Sequence, residues 1–137
     1  AKAALSAVMG KATQYGIDPE LFRKRDIHIH VPEGAVKKDG PSAGGALATA
    51  IYSAFTNKKI DNNVAMTGEI TIRGNILAIG GLKEKLFACV RAGIENVIVP
   101  AQNKDDVKEL PKDITDNLNI IFVNNLDEIL QHAIIGD

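Results

Sequence analysis

The chain has 137 residues, 45% hydrophobic and 24% charged, and its 16 basic and 17 acidic side chains leave a net charge of −1. That balance gives no general pull toward nucleic acid or an anionic membrane, and no apolar run approaches the roughly 20 residues that span a bilayer. A single cysteine, Cys89, excludes an internal disulfide and any paired-cysteine metal motif.

This length predicts one domain, residues 1–137, with an aliphatic core, because aromatics make up only 4% of the chain. No secretory signal pattern opens it, and the first residues, AKAALSAVMG, already read as helix. The chain is therefore expected to be a truncated piece of a longer protein.

Leu5, Val8, Ala12 and Tyr15 recur at helical spacing over 3–15, with Gly16 as a stop. Asp18-Pro19 is suited to start one further turn. The short basic cluster at 22–26 reads as a solvated turn. In DIHIHVPEG (26–34) alternation puts Ile27, Ile29 and Val31 on one face of a strand and Asp26, His28 and His30 on the other. A helix follows over 42–55, and its first turns hold only Ala and Gly, so it can approach a neighbour closely. VAMTGEITI (64–72) reads as a strand, 73–75 as a turn and ILAIG as the returning strand. Gly80-Gly81 break into a helix over 82–92 that Gly93 ends. A buried strand in ENVIVP, a short polar helix closed by Pro111, a second buried strand in NIIFV and a last helix carrying Leu126, Ile129, Leu130, Ala133 and Ile134 complete the order. The pattern is α/β, with a mixed sheet flanked by helices and containing one hairpin.

Ser42 stands at a helix start, where it would serve either as an N-cap or as a nucleophile. A capping box wants Glu or Gln three residues on, and that place is Gly45. The free N–H groups and dipole of a helix start could instead hold a developing oxyanion. A serine nucleophile needs a base. His28 and His30 are candidates, and as a His-x-His pair they could also bind metal, though no third ligand offers itself. His132 falls on the last helix. A neutral lysine is the other option: Lys83 and Lys85 flank the stripe of Leu82, Leu86, Cys89 and Val90 on opposite sides, and periodicity does not choose between them. Each reads equally as a snorkelling surface cation. The DGPSAGG loop lacks the Gly-Lys-Ser/Thr that completes a phosphate loop.

Three stretches, HIHVPEGAVKKDGPSAG, AMTGEITIRGNILAIGGLKEKL and RAGIENVIVP, resemble the proteolytic domain of the Lon family of ATP-dependent proteases, in order and over essentially the whole chain. The resemblance implies a serine endopeptidase with a Ser–Lys dyad. Ser42 lies in the place of the nucleophile and Lys85 in that of the general base, while Lys83 falls where the family varies. Thr67 matches a threonine whose hydroxyl orients that lysine. Asp39, His28 and His30 match positions lining the site, and the backbone N–H groups of Ser42 and Ala43 would receive the oxyanion. The implied fold is the compact Lon-protease fold, similar to the second domain of ribosomal protein S5.

The resemblance also implies unfolded polypeptide substrates, a hexameric ring and residence in the bacterial cytoplasm or an organelle matrix. It implies no membrane or nucleic-acid partner. No cofactor is expected in this chain, since ATP and Mg belong to the ATPase module that the full family member carries. Two departures stand out: Gly45 replaces a residue that is β-branched in many members, and the family's upstream strands are absent. The rival reading is a non-catalytic, ring-forming module, because Lon-like domains that lack the dyad assemble rings and contact DNA.

Overall fold

The computed structural model describes residues 2–24 and 44–135. In chain order these form α1 (Lys2–Gly10), α2 (Leu21–Lys24), α3 (Gly44–Thr56), β1 (Lys59–Ile60), β2 (Val64–Met66), β3 (Glu69–Ile70), β4 (Ile76–Leu77), α4 (Leu82–Arg91), β5 (Asn96–Pro100), α5 (Lys104–Lys108), α6 (Lys112–Thr115), β6 (Asn119–Val123), α7 (Leu126–Ala133) and β7 (Ile134–Ile135). The strand expected over 26–34 and the first residues of the helix expected from Ser42 lie outside the described residues.

Hydrophobic alternation on one central strand explains how two layers of helices are held. β5 pairs in parallel with β2 on one side and with β6 on the other. Successive side chains of a strand point to opposite faces. Accordingly Val97 and Val99 join one core with Leu82 and Leu86 of α4, Ile114 and Leu118. Ile98 joins the other with Val8 of α1, Ala48 and Ile51 of α3 and Ile129 of α7. The three-stranded sheet is thus covered on both faces, and its near-continuous Val/Ile runs are what a two-sided burial requires.

The expected single mixed sheet is instead three small sheets among the described strands: β2-β5-β6, the hairpin β3-β4 and the antiparallel pair β1-β7. The reason lies at Thr67-Gly68. The predicted 64–72 strand breaks there into β2 and β3, because Gly68 has φ +148° and swings the chain out of the parallel sheet into the hairpin. A Cβ on Gly68 would stand 2.8 Å from Ile76 Cγ2, so the turn is closed to larger residues. The turn expected at 73–75 is present, and Thr71 N–H donates to Asn75 O across it.

Three further boundaries differ. Regular helix in α1 ends at Gly10, and residues 11–16 continue as tight turns that keep Ala12 and Tyr15 on the same inward stripe. Pro111 does more than close α5: it also precedes α6, which delivers Ile114 to the core. Ile134 leaves the last helix with φ −92° and ψ 131° to pair with Ile60, an extended conformation that suits β-branched side chains. The start of α7 is fixed by Asn125 Oδ1, which accepts from Glu128 N–H at 3.0 Å, while Glu128 Oε1 accepts from Asn124 N–H.

A polar cluster ties the two ends of the described fold together. Asp127 of α7 accepts from Tyr15 Oη at 2.6 Å and from Lys11 Nζ at 2.9 Å, with Gln14 at 3.4 Å. Partial burial pushes the Asp127 carboxyl up, but the hydrogen bonds from Tyr15 and Lys11 outweigh it and hold it below the ordinary carboxylate value. Burial, and then Asp127 itself, push the Tyr15 phenol up. A carboxyl lowered on folding stabilises above its unfolded pKa of about 3.9 and loses that contribution as pH falls through the folded value. Asp127→Ala is expected to cost about 1–2 kcal/mol at neutral pH, measured by thermal unfolding. The gap to the parent should close below about pH 4; a gap that stays constant into acid would exclude the charge as its source.

The start of α3 is seated on β3. A Cβ on Gly44 would lie 2.7 Å from Ile70 Cγ2 and 2.9 Å from Ile70 N, so backbone meets backbone there. Alanine in a helix gains about 1 kcal/mol over glycine, whereas forcing a methyl into such a contact costs about 1–3 kcal/mol. Gly44→Ala is therefore expected to lower the unfolding temperature; a raised one would show that α3 can slide off Ile70.

Candidate active site

The residues from which chemistry was expected fall in two groups. Ser42, Ala43, Asp39, His28 and His30 lie outside the described residues. Thr67, Lys85 and the helix that follows Ser42 lie within them.

Thr67 follows β2, and its N–H donates to Ile98 O at 3.1 Å, the next bond of the parallel ladder. Alternation along β2 sends Ala65 to the core under α4 and Met66 to the opposite one. Thr67 continues the ladder and so belongs to the face that α4 covers. Its side chain is buried, at 8% exposure, and no hydrogen-bond partner for Oγ1 is found among the described residues. A buried hydroxyl in that condition is costly unless something uses it.

Lys85 sits in the first turns of α4, where its N–H donates to Gly81 O at 3.2 Å. Leu82 and Leu86 turn onto the sheet, Lys85 is half-buried and Lys83 is exposed. The structure thus separates two lysines that periodicity could not. A cleft of about 580 Å³ opens beside this turn, and Lys83 and Glu84 line it together with Gly80, Gly81, Asp106 and Glu109. Lys83 therefore faces open solvent, while Lys85 is held against the fold.

Ser42, the other residue from which chemistry is expected, precedes α3 in sequence. Gly45 N–H donates to Gly68 O at 3.1 Å, which locks the first turn of α3 to the residue after Thr67. Ile129 Cδ1 stands 3.1 Å from where a Cβ on Gly45 would be. The space that a β-branched residue would need is therefore filled by a core isoleucine. Ser42 precedes this anchored turn by two residues in sequence. The expected close approach of the Ala/Gly turns is present at both Gly44 and Gly45.

Sequence reasoning missed Asn103. It stands at the N-cap of the short helix α5, and its side chain makes no capping bond. Instead its Oδ1 accepts from Ile79 N–H at 3.0 Å, and its Nδ2 donates to Ile79 O at 3.0 Å and to Asp106 Oδ2 at 2.8 Å. No spacing rule links positions 79 and 103, so no signal in the sequence could have found the pair.

Residues 1–136 match the family model of the Lon protease (S16) C-terminal proteolytic domain. The chain is 54% identical over its full length to a Lon protease of Aquifex aeolicus, 51% identical over 99% of its length to one of Clostridium acetobutylicum, and 50% identical over its full length to Lon protease 1 of Bacillus subtilis. It spans 17–18% of the length of those curated relatives. A family model that matches all but the last residue, and relatives at about half identity over the whole chain, show that the chain belongs to the Lon protease family, as its C-terminal proteolytic domain.

Proposed function

We propose that this domain hydrolyses peptide bonds with Ser42 as nucleophile and Lys85 as general base. One observation carries the reading: Lys85 is half-buried on the helix that covers the sheet face to which Thr67 belongs, and the buried Thr67 hydroxyl has no hydrogen-bond partner among the described residues. The anchored start of α3 supports it from the other side. Gly45 is tied to the residue after Thr67, and Ser42 can be no farther than about 7 Å from Gly44 along the chain.

The chemistry follows from those groups. A lysine accepts a proton only in its neutral form, and its free pKa is about 10.4. The neutral amine takes the Ser42 hydroxyl proton as Oγ attacks the scissile carbonyl carbon. Backbone N–H groups of Ser42 and Ala43 receive the oxyanion, in keeping with the free donors of a helix start. The tetrahedral adduct collapses, the C–N bond breaks, and the lysine ammonium gives its proton to the leaving amine. Water then attacks the acyl-enzyme ester, passes a proton to the lysine and frees Ser42. The Thr67 hydroxyl holds the amine toward Ser42, and Asp39, His28 and His30 line the site. No step calls for a cofactor in this chain. Nucleotide and Mg belong to the ATPase module that full-length family members carry, and the sequence here has no phosphate loop.

The wider setting extends the same proposal. Residues 1–137 are one proteolytic domain with the fold similar to the second domain of ribosomal protein S5, a finer assignment than the α/β arrangement of the described residues. The substrates are unfolded polypeptides, the working assembly is a homohexameric ring, and the compartment is the bacterial cytoplasm. The Lon proteases of Aquifex aeolicus and Bacillus subtilis are bacterial, which supports the bacterial part of this reading.

Ser42→Ala is expected to abolish peptide hydrolysis, with at most about 1 kcal/mol of lost stability from a missing cap. Arginine keeps the charge and the donors but does not deprotonate in a protein, so Lys85→Arg should be inactive from pH 6 to 10 while Lys83→Arg stays near the parent rate. Substantial hydrolysis by Lys85→Arg would reduce Lys85 to a fixed charge and send the search for the base to His28 or His30.

A further inference from the structure

A second cleft, of about 480 Å³, opens between the turns that follow α1, the end of α3 and the corner from α7 into β7. Tyr15, Tyr52, Leu130 and Ile134 give it an aromatic and apolar lining, and Lys58 and Asp127 are its charged groups. None of these belongs to the proposed dyad or its supporting residues.

Lys58 reaches this cleft by a local route. α3 ends at Thr56, and Asn57 takes φ +59°, a conformation that asparagine tolerates, so the chain turns back into β1. Ser53 Oγ donates to Lys58 O, and the two residues that follow pair with β7. The backbone of Lys58 is therefore held at its carbonyl and by the next strand. Its half-buried side chain lies over Tyr52, with Nζ 5.9 Å from the ring centroid and 3.4 Å from Oη.

These two groups lack an acceptor. Among the described residues no carboxylate lies within 4 Å of the Lys58 ammonium, and no carbonyl at the end of α3 takes it. Tyr52 is 8% exposed, yet its Oη only receives the long bond from Lys58, and its own O–H has no acceptor among the described residues. A buried donor left unspent is costly, and so is a half-buried charge without a counter-charge. Asp127 does not fill the gap, because its oxygens accept from Tyr15 at 2.6 Å, Lys11 at 2.9 Å and Gln14 at 3.4 Å. With Asp127 paired to Lys11, the positive charge of Lys58 is in excess.

We infer that this cleft binds a carboxylate that carries an apolar body. The carboxylate accepts from Lys58 Nζ and Tyr52 Oη, and the body lies against the tyrosine rings, Leu130 and Ile134. A peptide C-terminus and a free small acid share this chemistry.

The test is calorimetric titration of the folded protein with N-acetyl-leucine, its amide, inorganic phosphate and a pentapeptide that ends in leucine with a free carboxyl group. N-acetyl-leucine should bind saturably, and the amide and phosphate should each bind at least about tenfold more weakly, as a lost hydrogen bond to a charged group or a lost apolar contact requires. Tyr52→Phe keeps the ring and loses only the hydroxyl, while Lys58→Met keeps the stem and loses the charge. Each should weaken N-acetyl-leucine by about tenfold or more, with thermal unfolding confirming a folded protein. If Tyr52→Phe does not fold, Lys58→Met decides alone. Equal binding of acid and amide, binding unchanged in Lys58→Met, or no saturable binding at all overturns the inference. Phosphate binding as tightly as N-acetyl-leucine overturns it too, since the apolar lining would then play no part. A pentapeptide that binds as well as N-acetyl-leucine supports the site with a chain end as its ligand; binding of the small acid alone supports it with a free acid.

Discussion

The parallel ladder on β5 is the constraint from which the rest of this structure follows. β5 is bonded on both sides, by β2 and by β6, and its Val97, Ile98 and Val99 are almost wholly buried. A strand in that position cannot move without breaking two ladders and two cores at once. What it carries at its C-terminal end is therefore held in place. That end carries Thr67 through the Ile98 carbonyl, Gly68 against Pro100, and Ile79 through Asn103.

From this fixed end the two helices next to the proposed dyad positions, α3 and α4, are reached by different means. α3 is seated by backbone contact: Gly44 against Ile70, Gly45 hydrogen-bonded to Gly68. Neither glycine has room for a side chain: Ile70 stands against Gly44 and Ile129 against Gly45. α4 is seated by apolar packing of Leu82 and Leu86 beneath a flexible glycine pair. The helix that follows Ser42 is thus docked on the hairpin by its backbone, whereas the helix that carries Lys85 is held by its apolar side chains.

How much of this could be read from the sequence depends on the range of each interaction. Helix periodicity in α3, α4 and α7 and the buried runs of β5 and β6 were readable because they are local patterns with a fixed repeat. The Ala/Gly start of α3 announced close packing, though not that Ile70 would be its seat. The break at Gly68 was read as continuous strand, since TGEITI has the β-branched content of one and a glycine's φ is decided by its tertiary neighbours. Ile134 falls on the helical stripe of α7 in sequence, yet a partner strand 74 residues upstream, at Ile60, claims it. Lys85 could be told from Lys83 only by resemblance or by burial, because both flank the same stripe. Asn103 was out of reach altogether: a buried amide bonded to a residue 24 positions away leaves no mark on composition or spacing.

The most direct measurement of the central claim is covalent. The intact protein is treated with a serine-reactive acylating probe, digested, and the adduct located by mass spectrometry. The account requires the label on Ser42, and it requires the label to vanish in Lys85→Arg, since an unactivated hydroxyl does not attack. A label on another hydroxyl, or equal labelling of Ser42 with and without Lys85, would contradict it.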